Sequence, residues 1–556
     1  MVAVQDFYEK FCDCAFDKHG VLKYFTPIVP NDFNFAYDVV DEIARIEPDR
    51  RAMVWCDEQG EERTFTFGDI SRYSNMAANL FCSHGVKKGD MVMMVLKRHY
   101  QFWFAVIGLH KLGAIGVPAT NLLTVKDYEY RLKAAGISHV IATAEGEVPQ
   151  RLEEACKLYG GIEAKFLVKN SRESWIDFDI ELEKQPDTME RISTKSTDPI
   201  LLYFTSGTTG FPKMVYHEHS YPIAHIITAK FWHNVDPDGL HLTVSETGWM
   251  KAMWGKLYGQ WLCGAAVFVY DFDKFVPAEL LKMIKKHQVT SFCAPPTIYR
   301  FLVKDGMNAD DFASVKYATT AGEALNPEVY NRFSEITGLN LMEAFGQTET
   351  TILTLNLVGT IPKVGSMGKP SPLYDVHLLD EDGAEVSPGD VGELVVKIPG
   401  SDKQIGIFGG YYKDEDLTNT VWYDSYYHTG DTAWRDEDGF FWYVGRTDDV
   451  IKASGYRIGP FEIESVLMEH PAVMECAVTG APDAVRGTVV KATVVLTKDY
   501  KPSEELKREL QEYVKNQTAP YKYPRIVEFV KELPKTISGK IKRADIRSGK
   551  DSESKA

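Results

Sequence analysis

From about residue 34 to residue 300, short apolar runs rich in β-branched residues alternate with longer helical stretches. HVIAT at 139–143, ILLYF at 200–204 and AVFVYDF at 266–272 are nearly free of charge along their whole length, the pattern of strands buried on both faces. Strands that alternate with helices predict βαβ units and a parallel sheet covered by helices. Between about 374 and 445 the pattern changes to short strands separated by DEDG at 380–383, SPGD at 387–390 and DEDG at 436–439, predicting a small antiparallel unit. The last hundred residues predict a compact α+β unit with strands at 475–480 and 491–497 and a helix around 505–515. In that helix Leu506, Leu510, Tyr513 and Val514 recur at the spacing of a core-facing stripe. The expected class is α/β: a large N-terminal domain of parallel sheets with a small antiparallel β unit, followed by a small α+β C-terminal domain.

With 556 residues the chain exceeds the usual ~100–200 residues per domain, so about three or four packed units are expected. Hydrophobic residues at 44% and charged residues at 25% exclude a disordered, collagen-like or membrane-embedded chain, and no run reaches the ~18 apolar residues of a spanning helix. A net charge of −17 disfavours nucleic-acid or anionic-lipid partners. The tail from 501 onward reverses this sign, which suits an anionic ligand or a merely solvated surface. The 8 cysteines form no CxxC pair, so neither a zinc site nor a disulfide framework is expected. The N-terminal segment mixes acids and bases and has no apolar signal core, which predicts a cytoplasmic protein.

The strand ILLYF runs into Thr205, Ser206, Gly207, Thr208, Thr209, Gly210, Phe211, Pro212 and Lys213. Such a loop turns backbone N–H groups toward one point, where hydroxyls and an ammonium add donors for phosphate oxygens. It is not a Walker A loop, because Pro212 precedes Lys213 and Met214 follows it, which weakens kinase and GTPase readings. A Gly/Thr-rich turn without a ligand is the competing account.

TSGTTGFPK closely resembles the signature loop of the adenylate-forming superfamily, which comprises acyl-CoA synthetases, peptide-synthetase adenylation domains and luciferases. Further motifs follow in that superfamily's order: Ala321-Gly322-Glu323-Ala324, Glu343-Ala344-Phe345-Gly346-Gln347-Thr348-Glu349, Tyr427-His428-Thr429-Gly430-Asp431, Gly445-Arg446-Thr447-Asp448-Asp449, Ser454-Gly455-Tyr456-Arg457-Ile458 and Pro534 through Lys540. The surroundings of 454–465, 468–478 and 518–525 look most like the medium-chain acyl-CoA synthetases.

The resemblance implies two half-reactions, carboxylate plus ATP to acyl-AMP and pyrophosphate, then thiol displacement of AMP. ATP and CoA would be co-substrates, with Mg²⁺ held near Thr205 and Glu349, a hard oxygen ligand. The 205–213 loop with Lys213 would bind the phosphates, and Asp431 and Arg446 the ribose, although a structural ion pair also accounts for those two. Gly322, Glu323 and Ala324 would run beside the adenine, Phe345 would stack on it, and Glu343, Ala344, Gly346, Gln347 and Thr348 belong to the same nucleotide-binding stretch. Lys540 would bridge carboxylate and α-phosphate during adenylation only. Asp448 would be the hinge between an N-terminal domain at 1–447 and a mobile C-terminal domain at 448–556. Rotation would withdraw Lys540 and bring in Ser454, Gly455 and Tyr456, where a glycine lets a pantetheine arm pass the backbone. Arg457 would contact a phosphate or acyl-AMP, and Arg486, Lys515, Tyr523, Pro524 and Arg525 would hold CoA.

Small-acid relatives place a tryptophan where this chain has Gly346, so a deeper acyl channel is expected. Trp249, Met250, Lys251 and Ala321 resemble pocket positions, and Trp254 and Lys256 lie on the same predicted helix, either at the channel or as core aromatics with outward-snorkelling lysines. Two other classes stay open: a stand-alone enzyme loading an aryl or amino acid onto a carrier-protein thiol, and a non-catalytic nucleotide sensor. Expected partners are a small carboxylic acid, ATP and CoA, with no nucleic acid and no membrane span, and a homo-oligomer is compatible with the sequence.

Overall fold

The computed structural model describes residues 3–205, 212–398, 400, 404–453, 456–483, 487–519, 521–536 and 539–549, with backbone only at 456 and 457. Among them the predicted parallel strands divide into two large sheets. One has seven strands in the order Lys213–Glu218, Pro199–Thr205, Ile115–Pro118, Met91–Val95, His139–Thr143, Ala164–Val168, Ile176–Asp177, parallel except at the Pro199–Thr205/Lys213–Glu218 edge. The other has nine, and its parallel centre runs through Leu341–Gly346, Tyr317–Ala321, Ser291–Ala294, Leu240–Thr243, Ala266–Asp271 and Arg51–Asp57. The parallel strands in these centres are short and largely buried, as covering layers of helix require.

The helices Gln101–Leu112 and Tyr221–Phe231 are buried on almost every side, which fits their nearly uninterrupted apolar sequences. The region 375–446 is the expected antiparallel unit, built from Asp375–Leu379, Val391–Lys397, Trp422–Tyr423, Tyr426–Arg435 and Phe441–Arg446. At the C-terminal end Val473–Asp483 pairs antiparallel with Gly487–Leu496, which pairs in parallel with Ile526–Phe529. The helix Glu504–Gln517 packs there with Leu506, Leu510 and Val514 buried. No described helix is long and apolar enough to cross a membrane.

The core carries an unusual burden of imidazoles. His110, His217, His219, His225, His233 and His241 are buried, and burial lowers all of them, His217 and His219 to about 4, His241 to about 3 and the others well below the ordinary value. As pH falls below ~6.5 the unfolded chain takes up protons that the folded chain refuses, so each group removes ~1.4 kcal/mol of stability per pH unit until its folded value is reached. Glu343, pushed up to about 8 by burial, acts in the opposite sense, as do Glu246, Asp431 and Glu469, which burial also raises, but these are four carboxyls against six imidazoles. The urea midpoint is therefore expected to fall steadily between pH 6.5 and 4.5. A flat midpoint over that window would contradict this balance.

Candidate active site

Three chemistry-bearing loops leave the carboxyl ends of strands Pro199–Thr205, Tyr317–Ala321 and Leu341–Gly346, the end at which open α/β sheets bind ligands. Thr205 pairs with Lys213 across the first loop, so the two described ends of the glycine- and threonine-rich segment stand side by side. Ser206, Gly207, Thr208, Thr209 and Gly210 lie outside the described residues.

Tyr411 ties this loop to Glu349. Its hydroxyl donates to Glu349 Oε1 at 3.1 Å, while Lys213 Nζ stands 5.0 Å from the centroid of its ring. Glu349 is half-buried and Thr205 adds a hydroxyl, a sparse oxygen set that suits Mg²⁺ held mainly by phosphates and water. No cluster of three or more carboxylates, histidines or cysteines able to hold a metal occurs among the described residues.

Asp431 and Arg446 face each other across the strands Tyr426–Arg435 and Phe441–Arg446, with Arg446 Nη1 3.0 Å from Asp431 Oδ2. Tyr443 donates to Asp431 Oδ1 at 3.0 Å, and Gln347 Nε2 donates to Oδ2 and to the Thr429 carbonyl. Burial raises the Asp431 carboxyl, against the pull of Arg446 and these donors. The Gln347 amide is thus engaged within the protein, where it holds Asp431 in place. The Thr348 carbonyl accepts from His217 Nε2 at 2.7 Å, and the Phe345 ring lies 6.0 Å from that of Tyr443.

On the adjoining strands Ala321 pairs with Ala344, and both are buried. Gly322 follows with φ +103°, a backbone conformation that favours glycine. Glu323 is exposed and accepts from Thr297, while Ala324 is half-buried. Glu343 is buried, with Oε1 accepting the Leu325 N–H at 3.1 Å and Oε2 lacking a partner among the described residues. A buried oxygen so placed beside the 322–325 loop is a polar group available to a ligand.

Trp249, Lys251 and Trp254 are half-buried and Met250 is buried; Lys251 and Trp254 share one face of the helix Lys251–Lys256. Lys251 Nζ donates to the Ala321 carbonyl at 2.6 Å and stands 5.5 Å from the Trp254 ring centroid. Burial pushes the Lys251 ammonium below its ordinary value, Cys293 and Glu323 oppose this, and the nearby charge of Lys540 adds to the lowering. Lys540 itself is exposed, in a turn where its N–H donates to Thr536 Oγ1.

Lys256 shares the helix Lys251–Lys256 with Trp254, as expected, but it does not snorkel outward. Its Nζ is buried and donates to the Ser245 carbonyl at 2.7 Å, and burial brings its ammonium down to about 7. Gly346 also has a reason the sequence did not show. A Cβ there would meet the Thr351 carbonyl oxygen at 2.5 Å, so the close approach of the neighbouring backbone requires a glycine.

Asp448 is exposed in a turn, and its neighbour Asp449 pairs with Arg543 and Arg547. Lys515 and Arg525 both lie against the Tyr523 ring, at 5.9 and 4.9 Å, and Pro524 follows Tyr523 with its carbonyl accepting from Gln511. Ser454, Gly455 and Arg486 lie outside the described residues, and Tyr456 and Arg457 are seen only as backbone in a strand paired with Ile451–Ala453. Tyr411 and Tyr443 were not anticipated. Tyr443 lies two residues before the Gly445-Arg446 motif, while nothing in the sequence marks Tyr411, which reaches the site from the loop before the helix Glu415–Asn419.

Residues 40–412 match the family described as AMP-binding enzyme, and residues 462–540 match the AMP-binding enzyme C-terminal domain. The chain belongs to the AMP-binding enzyme family. The mouse protein named acyl-coenzyme A synthetase ACSM3, mitochondrial, is 39% identical over 531 residues, covering 93% of this chain and 91% of the relative. Human acyl-coenzyme A synthetase ACSM5, mitochondrial, is 40% identical over 531 residues, covering 94% and 91%. The crystal structure of the anthranilate CoA ligase AuaEII in complex with anthranoyl-AMP is 28% identical, with a TM-score of 0.85 over 94% of this chain and 98% of that one. These relatives place this AMP-binding enzyme among the acyl-coenzyme A synthetases, AMP-forming acid–thiol ligases, and favour neither carrier-protein loading nor a non-catalytic sensor. Their mitochondrial names differ from the cytoplasmic placement expected from the sequence.

Proposed function

We propose that this acyl-CoA synthetase activates a medium-chain or branched carboxylic acid, in an adenylation step followed by thiolysis within one cleft. The observation that carries the reading is the Asp431 carboxylate held by Arg446, Tyr443 and Gln347, with Glu349 tied to Tyr411 near the end of the 205–213 loop.

In the first step a carboxylate oxygen attacks the α-phosphorus of ATP and pyrophosphate departs. Two anions approach one another, so the protein's task is in-line positioning with cations and N–H donors. The 205–213 loop and Lys213 hold the β- and γ-phosphates, and Lys540 bridges the attacking oxygen and the α-phosphate. Mg²⁺, bound by Glu349 and Thr205, would neutralise phosphate charge. Asp431, steadied by Gln347, Tyr443 and Arg446, accepts from the ribose hydroxyls. Phe345 stacks on the adenine, and the open Oε2 of Glu343, protonated at neutral pH, offers a hydrogen bond to the base.

In the second step the CoA thiolate attacks the acyl carbon, the bond from that carbon to the phosphate-bridging oxygen breaks, and AMP leaves with that oxygen. The segment 448–556 turns about Asp448 between the steps, withdrawing Lys540 and bringing the Ser454-Gly455-Tyr456-Arg457 bend to the cleft. Lys515 and Arg525, with Arg486, face the CoA phosphates. The Lys515–Tyr523–Arg525 cluster supports this, because it gathers two cations on one exposed surface.

CoA-dependent AMP release across straight, branched and aromatic acids of two to ten carbons tests the proposal. Turnover is expected from four carbons upward. Production of ADP, or nucleotide turnover indifferent to the acid, would overturn it.

A further inference from the structure

The loop beside the adenine site ends at Asn326, whose side chain serves two masters. Its Oδ1 accepts the Glu328 N–H at 2.7 Å and so caps the helix Pro327–Thr337. Its Nδ2 donates to the Ser465 carbonyl at 3.2 Å, in the helix Pro460–Glu469 of the C-terminal segment. Asn326 is 8% exposed and Ser465 7%, so water does not readily replace this bond. One residue earlier, Leu325 N–H is held by Glu343. The nucleotide loop is therefore pinned at one point to its own sheet and at the next to the end domain.

The surroundings make this tie conspicuous. Arg300 Nη1 approaches Met468 Sδ at 3.5 Å, a weak contact, and the outer pair Lys452–Glu381 is exposed on both sides. Glu328 faces Glu469 and Tyr513, and its charge adds to the burial that raises the Glu469 carboxyl. Like charges thus oppose docking of the helix Pro460–Glu469 where the Asn326 amide, a neutral donor, favours it.

We infer that Asn326 is a positioning residue: it holds the end domain in the arrangement that presents Lys540, and couples that arrangement to the loop that borders the base. The inference rests on the two-step reading above. Rotation about Asp448 carries Ser465 away and breaks the bond, so the tie favours adenylation and is absent during thiolysis.

Asparagine and aspartate cap helices about equally well, which allows the two roles to be separated. Asn326→Asp keeps the cap but sets a carboxylate oxygen against the Ser465 carbonyl, in a region already crowded by Glu328 and Glu469. Asn326→Ser keeps a cap and simply lacks the reach. In the full-length chain, Asn326→Asp is expected to lower kcat for acid-dependent ATP–pyrophosphate exchange by about tenfold, with Asn326→Ser lowered less. Thiolysis of supplied acyl-AMP and the thermal midpoint should stay near wild type in both. Unchanged exchange, or equal loss in both half-reactions, would overturn the inference. If the wild-type chain itself showed no acid-dependent exchange, the two-step reading would fall, and this inference with it.

Discussion

Lys540→Ala is expected to slow acyl-AMP formation by about 10²–10³-fold, the usual cost of removing one preorganised charge-stabilising donor, while thiolysis of supplied acyl-AMP proceeds at close to the wild-type rate. The asymmetry follows from where the lysine stands. In the proposed reading Lys540 reaches the α-phosphate, and its charge is felt at Lys251, whose Nζ rests on the Ala321 carbonyl. It is exposed, and its backbone is hydrogen-bonded in the Thr536–Lys540 turn, so replacing it removes an ammonium without disturbing a packed core. The two half-reactions, measured separately as ATP–pyrophosphate exchange and as CoA-dependent consumption of acyl-AMP, check it. Equal impairment of both would mean that residue 540 is structural, and an unimpaired first half would remove it from the chemistry.

Acetate should be a poor substrate, by about two orders of magnitude in kcat/KM relative to acids of five or six carbons. Burial of each methylene contributes ~0.8 kcal/mol, and three or four of them about 2.5–3 kcal/mol, if the channel accepts them. In the proposed reading Gly346 opens the channel, and Trp254 and Lys251 are among the residues proposed to line it. The structure sharpens the mutational form of the test. Because a Cβ at 346 meets the Thr351 carbonyl at 2.5 Å, Gly346→Ala already displaces a strand, and Gly346→Trp would report strand distortion together with pocket filling. The acid series with the unaltered chain is therefore the cleaner experiment, and equal kcat/KM for acetate and hexanoate would contradict a channel that buries methylenes.

Much of the architecture was legible because buried parallel strands leave short uncharged runs, and 139–143, 200–204 and 266–272 all prove to be strands within a residue of expectation. Which sheet each joins was not legible. HVIAT and AVFVYDF look alike, yet they belong to different sheets, because periodicity records burial and not the identity of the neighbouring strand. At the site, motifs fix residues whose neighbours are local in sequence, such as Asp431 and Arg446 on paired strands. They do not reveal supports that arrive from elsewhere, such as Tyr411 at Glu349. Lys256 was misjudged for a related reason: a lysine ordinarily carries its charge to water, and only the distant Ser245 carbonyl makes an inward course tolerable.

The same dependence on distant partners governs the end domain. Arg543 is enclosed by Glu464, at 2.7 Å, and Asp449, at 3.6 Å, so the helix Arg543–Arg547 just after Lys540 is fastened to the stretch beside the proposed hinge. A turn at Asp448 can therefore be transmitted to the lysine as a rigid movement, which a solvated tail could not do.

The central claim is that a carboxylate oxygen of the acid attacks the α-phosphorus of ATP. Turnover of an acid labelled with ¹⁸O in both carboxylate oxygens, followed by mass spectrometry of the nucleotide, measures this directly. One ¹⁸O should appear in each AMP released and one should remain in the thioester. Unlabelled AMP, or label recovered in pyrophosphate or inorganic phosphate, would contradict the claim.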